Sequence, residues 1–349
     1  MRVVITGASG NVGTSLLQSL AGEDRVESIV GIVRRLPGRA FPKTSFVAAD
    51  VVSADLVPIL RGADAVIHLA WLIQPGRDES VTYAVNVTGS ERVFAAAGEA
   101  KVPTLVYASS VGAYSPGPKD TAVDESWPTD GIESSFYARH KAAVERLLDR
   151  LEQDRPEMRI VRLRPGLIFK REAATEIRRL FLGPFVPRQL IQPRFIPLVP
   201  DVTRLRFQAV HSADVGEAYR RALLSDAAGP FNIAADPIIG PPELASALDA
   251  RPVKVPSSAL RAAAAVTYSL RVQPAEPGWV DMALAVPVMD TSRARSVLGW
   301  SPTRTSLEAL RELIDGLHEG GEAETPPLAR ATTGPARVRE ILTGVGRRV

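Results

Sequence analysis

The segment Thr6-Gly7-Ala8-Ser9-Gly10-Asn11-Val12-Gly13 decides the fold. It follows the apolar run Val3-Val4-Ile5 and opens a stretch of helical apolar spacing over about 11–21. Strand, glycine turn and helix in immediate succession make an anion-binding unit. Gly7 permits the tight turn, Gly10 lets the backbone approach a pyrophosphate, and Gly13 lets the helix lie close to the sheet. The pyrophosphate then sits over the helix N-terminus, where free N–H groups and the dipole favour negative charge. A glycine-rich turn without a ligand is the rival reading. The agreement of strand, glycines and helix stands against it.

Further along, Ser28 to Val33, Phe46 to Ala49, Ala65 to Ala70, Thr104 to Ala108 and Arg159 to Leu163 are short, β-branched and apolar at consecutive positions. Strands buried on both faces read this way. Helical spacing fills the gaps at about 53–61, 80–100 and 134–153. Such alternation implies right-handed crossovers and an α/β, doubly wound parallel sheet. After Pro165 the texture changes, and residues 166–206 are rich in Arg and Pro. A strand is expected at Phe207–Val210, a helix near 213–224 and a strand at Phe231–Ala234. Residues 241–300 are Pro-interrupted and Ala-rich, and a helix is expected near 305–317. From Glu319 onward a loosely ordered tail is expected, with amphipathic spacing at 335–343.

The chain has 349 residues, and its 45% hydrophobic content is enough for a sizeable core. With 42 basic against 39 acidic residues the formal net charge is +3, so no nucleic-acid partner is expected. The absence of Cys removes disulfides, thiolate ligands and Cys nucleophiles. The four His residues (68, 140, 211 and 318) show no ligand spacing, so no metal is expected. No apolar run approaches the ~20 residues of a membrane span, and the start lacks the features of a signal peptide. The expectation is a cytoplasmic protein with no membrane partner.

Tyr137 and Lys141 lie four apart, on one face of the expected helix at 134–153. A nearby ammonium favours the phenolate, so such a pair can run acid–base chemistry on an alcohol or carbonyl. Ser110 follows the strand Thr104 to Ala108, at the sheet edge where α/β ligands bind, and can hydrogen-bond the same substrate oxygen. At the end of the second strand, NAD enzymes generally present an acid to the ribose 2′-OH. Here Arg34 and Arg35 follow Val33, and guanidiniums suit a 2′-phosphate. The expected cofactor is therefore NADP, with NAD the second choice.

With these residues in place, the sequence resembles the extended short-chain dehydrogenase/reductases, the NAD(P)-dependent epimerase/dehydratase group, over about residues 1–316. The resemblance rests on TGASGNVG at 6–13, Asp50 after the third strand, HLA at 68–70, NVTGSERV at 86–93 and SSVGAY at 109–114. It continues through DES at 124–126, YARHK at 137–141, LRPG at 163–166, HSADVGEAY at 211–219 and LGWSP at 298–302. It implies a Rossmann fold with a smaller C-terminal substrate-binding part. Residues 1–166, 207–234 and 286–317 would hold the cofactor, 167–206 with 235–285 the substrate, and 318–349 would be the tail. It makes Tyr137 the catalytic acid/base, lets Lys141 also hold the nicotinamide ribose, and has Ser110 position the carbonyl. Asp50 and Val51 would contact adenine, Leu69, Ala70 and Asn86 would line the cofactor, and the Pro165–Leu167 backbone would close over the nicotinamide amide. The helices near 80–100 and 134–153 form the dimer bundle in relatives, which implies a homodimer.

Three departures count against a nucleotide-sugar substrate. Val111-Gly112 stand where 4,6-dehydratases carry an acidic pair, and Gly166-Leu167-Ile168-Phe169-Lys170 replaces an Asn-x-Tyr-Gly-Pro stretch. Arg206 is offset by one from a phosphate-binding Arg of relatives. The arginines at 171, 178, 179, 188, 194, 204 and 206 read as a solvated face rather than an anion site. The expected activity is net hydride transfer to or from a small carbonyl or alcohol. A sugar-nucleotide epimerase is the first rival. A non-catalytic dinucleotide sensor is the second, disfavoured because the Tyr/Lys pair is kept. Blander readings accompany several residues: Asn86 as a helix cap, Asp50 as a turn cap, His68 as a satisfied core histidine and His211 as structural. Asp214 reads as a first-turn helix residue, His140 is given no role, and Trp71 reads equally as substrate-facing or core.

Overall fold

The computed structural model describes residues 1–73, 78–182, 195–321 and 323–328. The expected amphipathic segment at 335–343, most of the tail, Arg188 and Arg194 lie outside these residues. β1 (Arg2–Thr6), β2 (Ser28–Val33), β3 (Thr44–Ala48), β4 (Ala65–His68) and β5 (Thr104–Ala108) alternate with α1 (Asn11–Leu20), α2 (Val57–Leu60), α3 (Glu79–Tyr83) and α4 (Gly89–Glu99). Then come β6 (Ala122–Val123), α5 (Phe136–Asp154), β7 (Arg159–Pro165), β8 (Leu167–Phe169), α6 (Ala174–Ile177), β9 (Leu198–Asp201), β10 (Ala209–His211), α7 (Ser212–Leu224) and β11 (Gly229–Ile233). The last third holds α8 (Pro241–Leu248), β12 (Arg251–Lys254), α9 (Ser257–Ser269), α10 (Gly278–Ala285), β13 (Val288–Met289), α11 (Ser292–Val297) and α12 (Ser306–Glu319).

Seven strands form one sheet in the order β11-β7-β5-β4-β1-β2-β3, and every pairing is parallel. Side chains alternate between faces. Val3 and Ile5 join Leu16, Leu17, Val215, Tyr219 and Trp300 on one face. Val4 joins Val66, Phe94, Leu105, Val144 and Leu148 on the other. Both faces are covered, as the consecutive apolar runs required. The order reverses between β1 and β4, which places a crevice above their carboxyl ends.

Several expectations need correction. The helix expected at 53–61 shrinks to α2, because Asp50 O accepts from Ser53 and Ala54 N–H and its Oδ1 accepts from Val52 N–H. The chain spends residues 50–54 in a turn instead. The helix expected at 80–100 is interrupted by a π turn at Ala84–Thr88. β4 ends at His68, two residues early, because Leu69 and Ala70 N–H turn to Thr6 O and Oγ1. Phe207 pairs with Ile239 in an isolated bridge, and β10 starts only at Ala209. Residues 241–300, Pro-interrupted in sequence, hold helices and strands, because Pro241, Pro256 and Pro277 fall at helix starts and Pro252 lies in β12.

Candidate active site

The glycine turn is built by steric exclusion. Gly7 has φ +71°, and a Cβ there would stand 2.7 Å from Ala70 N and 2.8 Å from Leu69 C. A Cβ at Gly13 would meet Gly7 O at 2.5 Å. Both positions therefore admit only glycine. Gly10 caps α1 with no side-chain hydrogen bond, and no acid occupies the first turn. Asn11 Oδ1 is buried without a partner among the described residues, and Ser9 is buried beside it. An uncapped N-terminus under a turn with no side-chain bulk fits a dinucleotide pyrophosphate. Arg34 and Arg35 are exposed beyond β2, and neither forms an ion pair with a described residue. Val51 is buried against α4, 2.9 Å from where a Gly89 Cβ would lie.

Asn86 sits in the π turn and is no helix cap. Its amide grips Leu72 by both backbone groups, accepting from N–H at 2.7 Å and donating to O at 3.0 Å. Pi turns recur where a helix must present a side chain out of register. His68 is fully buried. Ser90 Oγ donates to Asn86 O at 2.6 Å, so it accepts from His68 Nε2 at 2.9 Å. Thr6 Oγ1 accepts from Ala70 N–H at 3.2 Å and donates to His68 Nδ1 at 2.6 Å. Burial, and secondarily Lys141, holds the imidazole down at about 3. It is a satisfied core histidine. His140 faces Glu79 at 3.2 Å. Asp214 lies in the first turn of α7, and its carboxylate accepts from Thr303 and Arg304 N–H. His211 caps α7.

Ser110, Tyr137 and Lys141 converge at the carboxyl end of β5. Ser135 caps α5, whose first turns carry Tyr137 and Lys141. Ser110 Oγ accepts from Gly112 N–H at 3.0 Å and lies near enough to the Tyr137 phenol to favour its ionised form. Burial pushes that phenol up to about 12, and Ser110 opposes the rise only in part. The expectation that Lys141 lowers it fails here. Lys141 Nζ donates to Ala108 O at 2.6 Å and lies 3.4 Å from the Trp71 ring centroid, and burial holds the ammonium well below the lysine range. Desolvation is the largest cause at both groups.

Trp71, read as either substrate-facing or core, meets Tyr137 edge-on at 5.9 Å between centroids. Sequence reasoning missed Trp279, which lies tilted over Tyr137 at 5.0 Å. Phe181 backs Trp279 at 5.1 Å. Trp279 and Phe181 come from Pro-rich segments with no periodic signal. The Glu145 network was also missed. Burial opposes ionisation of Glu145, yet Arg164, Arg162 and Ser109 pull it to about 2. Arg164 reaches both its oxygens, at 3.0 and 2.9 Å. Here a signal existed: Arg162 and Arg164 alternate in an otherwise apolar strand, and Glu145 is one turn beyond Lys141.

A family profile described as the NAD dependent epimerase/dehydratase family matches residues 3–234. The chain belongs to this family. It is an NAD(P)-dependent enzyme of the extended short-chain dehydrogenase/reductase type. An uncharacterised family relative, Rv0501 of Mycobacterium tuberculosis, is 26% identical over 340 residues, covering 90% of this chain and 83% of its own. A 3 beta-hydroxysteroid dehydrogenase/Delta 5→4-isomerase of the same organism is 30% identical over 190 residues, or 52% of this chain and 50% of that protein. The NAD complex of UDP-glucose 4-epimerase from Thermus thermophilus superposes with TM-score 0.66 at 22% identity, over 91% of this chain and 99% of the other. Among the described residues no helix is long and apolar enough to cross a membrane.

Proposed function

We propose that this chain is a net oxidoreductase moving hydride between NADP and an uncharged, apolar carbonyl or alcohol. The surroundings of Tyr137 carry the reading. Trp71 and Trp279 flank it, and a Cβ at Gly112 would stand 2.9 Å from Tyr137 Cε1 and 3.1 Å from Met282 Sδ. An acid of the dehydratase kind does not fit there, and aromatic walls hold apolar surface better than sugar hydroxyls. The hydroxysteroid dehydrogenase among the relatives supports the same substrate class.

In this reading the glycine turn of Gly7, Gly10 and Gly13, with Ser9, Asn11 and Val12, holds the pyrophosphate. Arg34 takes the 2′-phosphate, and Arg35 stacks on adenine, which Asp50 and Val51 also contact. Leu69, Ala70, Asn86 and the Pro165–Leu167 backbone line the rest. The nicotinamide, when bound, supplies or takes the hydride. Burial keeps the Tyr137 phenol protonated, so it holds the proton that a carbonyl oxygen needs on reduction. Ser110, fixed by Gly112 N–H, orients that oxygen. Lys141, held on Ala108 O, is placed to bind the ribose and, when protonated, to stabilise the phenolate left behind. A homodimer over α3 to α5 belongs to this reading, since Val81 and Tyr83 are 39% and 48% exposed there.

The test compares dissociation constants for NADPH and NADH in the wild type and in Arg34→Ala, then follows NADPH with a panel of apolar ketones and with UDP-glucose. Tighter NADPH binding, lost in Arg34→Ala, and stoichiometric NADPH consumption with a ketone are expected. Interconversion of sugar-nucleotide epimers without net NADPH consumption would show an epimerase instead.

A further inference from the structure

Beneath the glycine turn lies a buried cation. Lys170 follows β8 and is only 7% exposed. Its Nζ donates to Asn11 O at 2.8 Å, Thr14 Oγ1 at 2.7 Å and Ser15 Oγ at 3.3 Å. All three acceptors are neutral and belong to the first turns of α1. No carboxylate of a described residue forms an ion pair with Lys170.

Two costs meet at this point. An ammonium taken from water is costly, and here only neutral acceptors bond it while Glu172 and Glu176 act without forming an ion pair. It also faces the positive end of a helix dipole. An anion over α1 relieves both. α1 leaves room for such an anion, with neither a side-chain cap nor an acid in its first turn. Asn11 Nδ2 reaches Ile168 O at 3.4 Å, so β8 and the glycine turn are fastened together twice.

We propose that Lys170 is a positioning residue for the cofactor pyrophosphate, supplying through the first turn of α1 a charge that the bound dinucleotide neutralises. The inference rests on the cofactor site described above, yet nothing in that site requires a buried lysine. The groups around Lys170 are few. Glu172 and Glu176 sustain its charge, Arg179 competes for Glu176, and on the β10 side His211 faces Glu312 at 3.2 Å. Burial lowers Lys170 to about 8, so the charge is present at neutral pH and fades above it.

Titrations of NADPH, NADH and ADP-ribose into full-length wild type, Lys170→Met and Lys170→Arg test the proposal. At pH 7 Lys170→Met should weaken all three by about tenfold alike, the scale of a charge at a helix terminus, leaving the NADPH to NADH ratio unchanged. Lys170→Arg should recover most of the loss, which a role in packing alone does not predict. Wild-type NADH affinity should also fall between pH 7 and 9 while that of Lys170→Met stays flat. Unchanged constants in a folded Lys170→Met, or no rescue by Lys170→Arg, overturn the proposal. If Lys170→Met fails to fold, a flat wild-type pH profile overturns it equally. Failure of the wild type to bind any dinucleotide sinks the cofactor site itself, and is seen before any variant is compared.

Discussion

A phenol held near 12 behaves differently from one poised near neutrality. Burial keeps the Tyr137 phenol protonated at rest, and Ser110 opposes this only in part. Tyr137→Phe keeps the ring between Trp71 and Trp279 and removes only the hydroxyl. Turnover should fall by about 10²–10⁴-fold while NADPH affinity stays within a factor of a few. Steady-state kinetics beside cofactor titration checks this, and near-normal turnover rules the role out. His68 makes a second prediction at this scale. Its folded value, about 3, lies below the unfolded 6.5. The stability it gives is therefore complete above 6.5 and lost as pH falls towards 3, at about 1.4 kcal/mol per pH unit. Urea melts between pH 4 and 6.5 should show a shallower slope in His68→Asn by about one proton.

At the scale of elements, α5 and β7 are joined by Glu145, which is fully buried between Arg162 and Arg164. Arg164→Leu leaves that carboxylate half-paired, and removing one partner of a buried pair costs about 3–5 kcal/mol. Denaturant melts should show the loss at pH 7, whereas Arg139→Leu, on an exposed pair with Glu79, should change little. How legible these elements were follows from their physics. β1, α1 and β2 announce themselves because strands buried on both faces and a glycine turn leave few alternatives. The π turn at Ala84–Thr88 left no trace, since it is fixed by the grip of Asn86 on Leu72 rather than by local preference. α2 was overread because apolar spacing at 56–60 outweighed the Asp50 turn, a side-chain bond that hydrophobic periodicity does not register.

Across the whole molecule, the parallel order brings the carboxyl ends of β1, β4 and β5 to one edge, so residues far apart in sequence share one crevice. Ser110, Tyr137 and Lys141 were readable because a strand end and a helix period fix where each must lie. Trp279 was not, because α10 reaches the site only through tertiary packing. That packing makes a prediction. Gly112→Ala inserts a methyl 2.9 Å from Tyr137 Cε1 and 3.1 Å from Met282 Sδ. Overpacking of this kind costs about 1–3 kcal/mol. Tm should fall, and kcat should drop more than cofactor affinity, because the displaced ring carries the proton in the proposed mechanism.

The contact of α10 with α5 has a bearing on how such an enzyme changes its taste. Gly278 abuts the backbone of Ser134 and Ser135 so closely that a Cβ there has no room. The helix carrying Trp279 and Met282 is thus moored at its first residue, directly beside the cap of α5. At that residue it cannot come closer to α5 to suit a new guest. Any lineage, or any engineer, seeking a different substrate here must exchange the side chains displayed on α10 one at a time, like type set in a fixed frame, and leave the frame where it is.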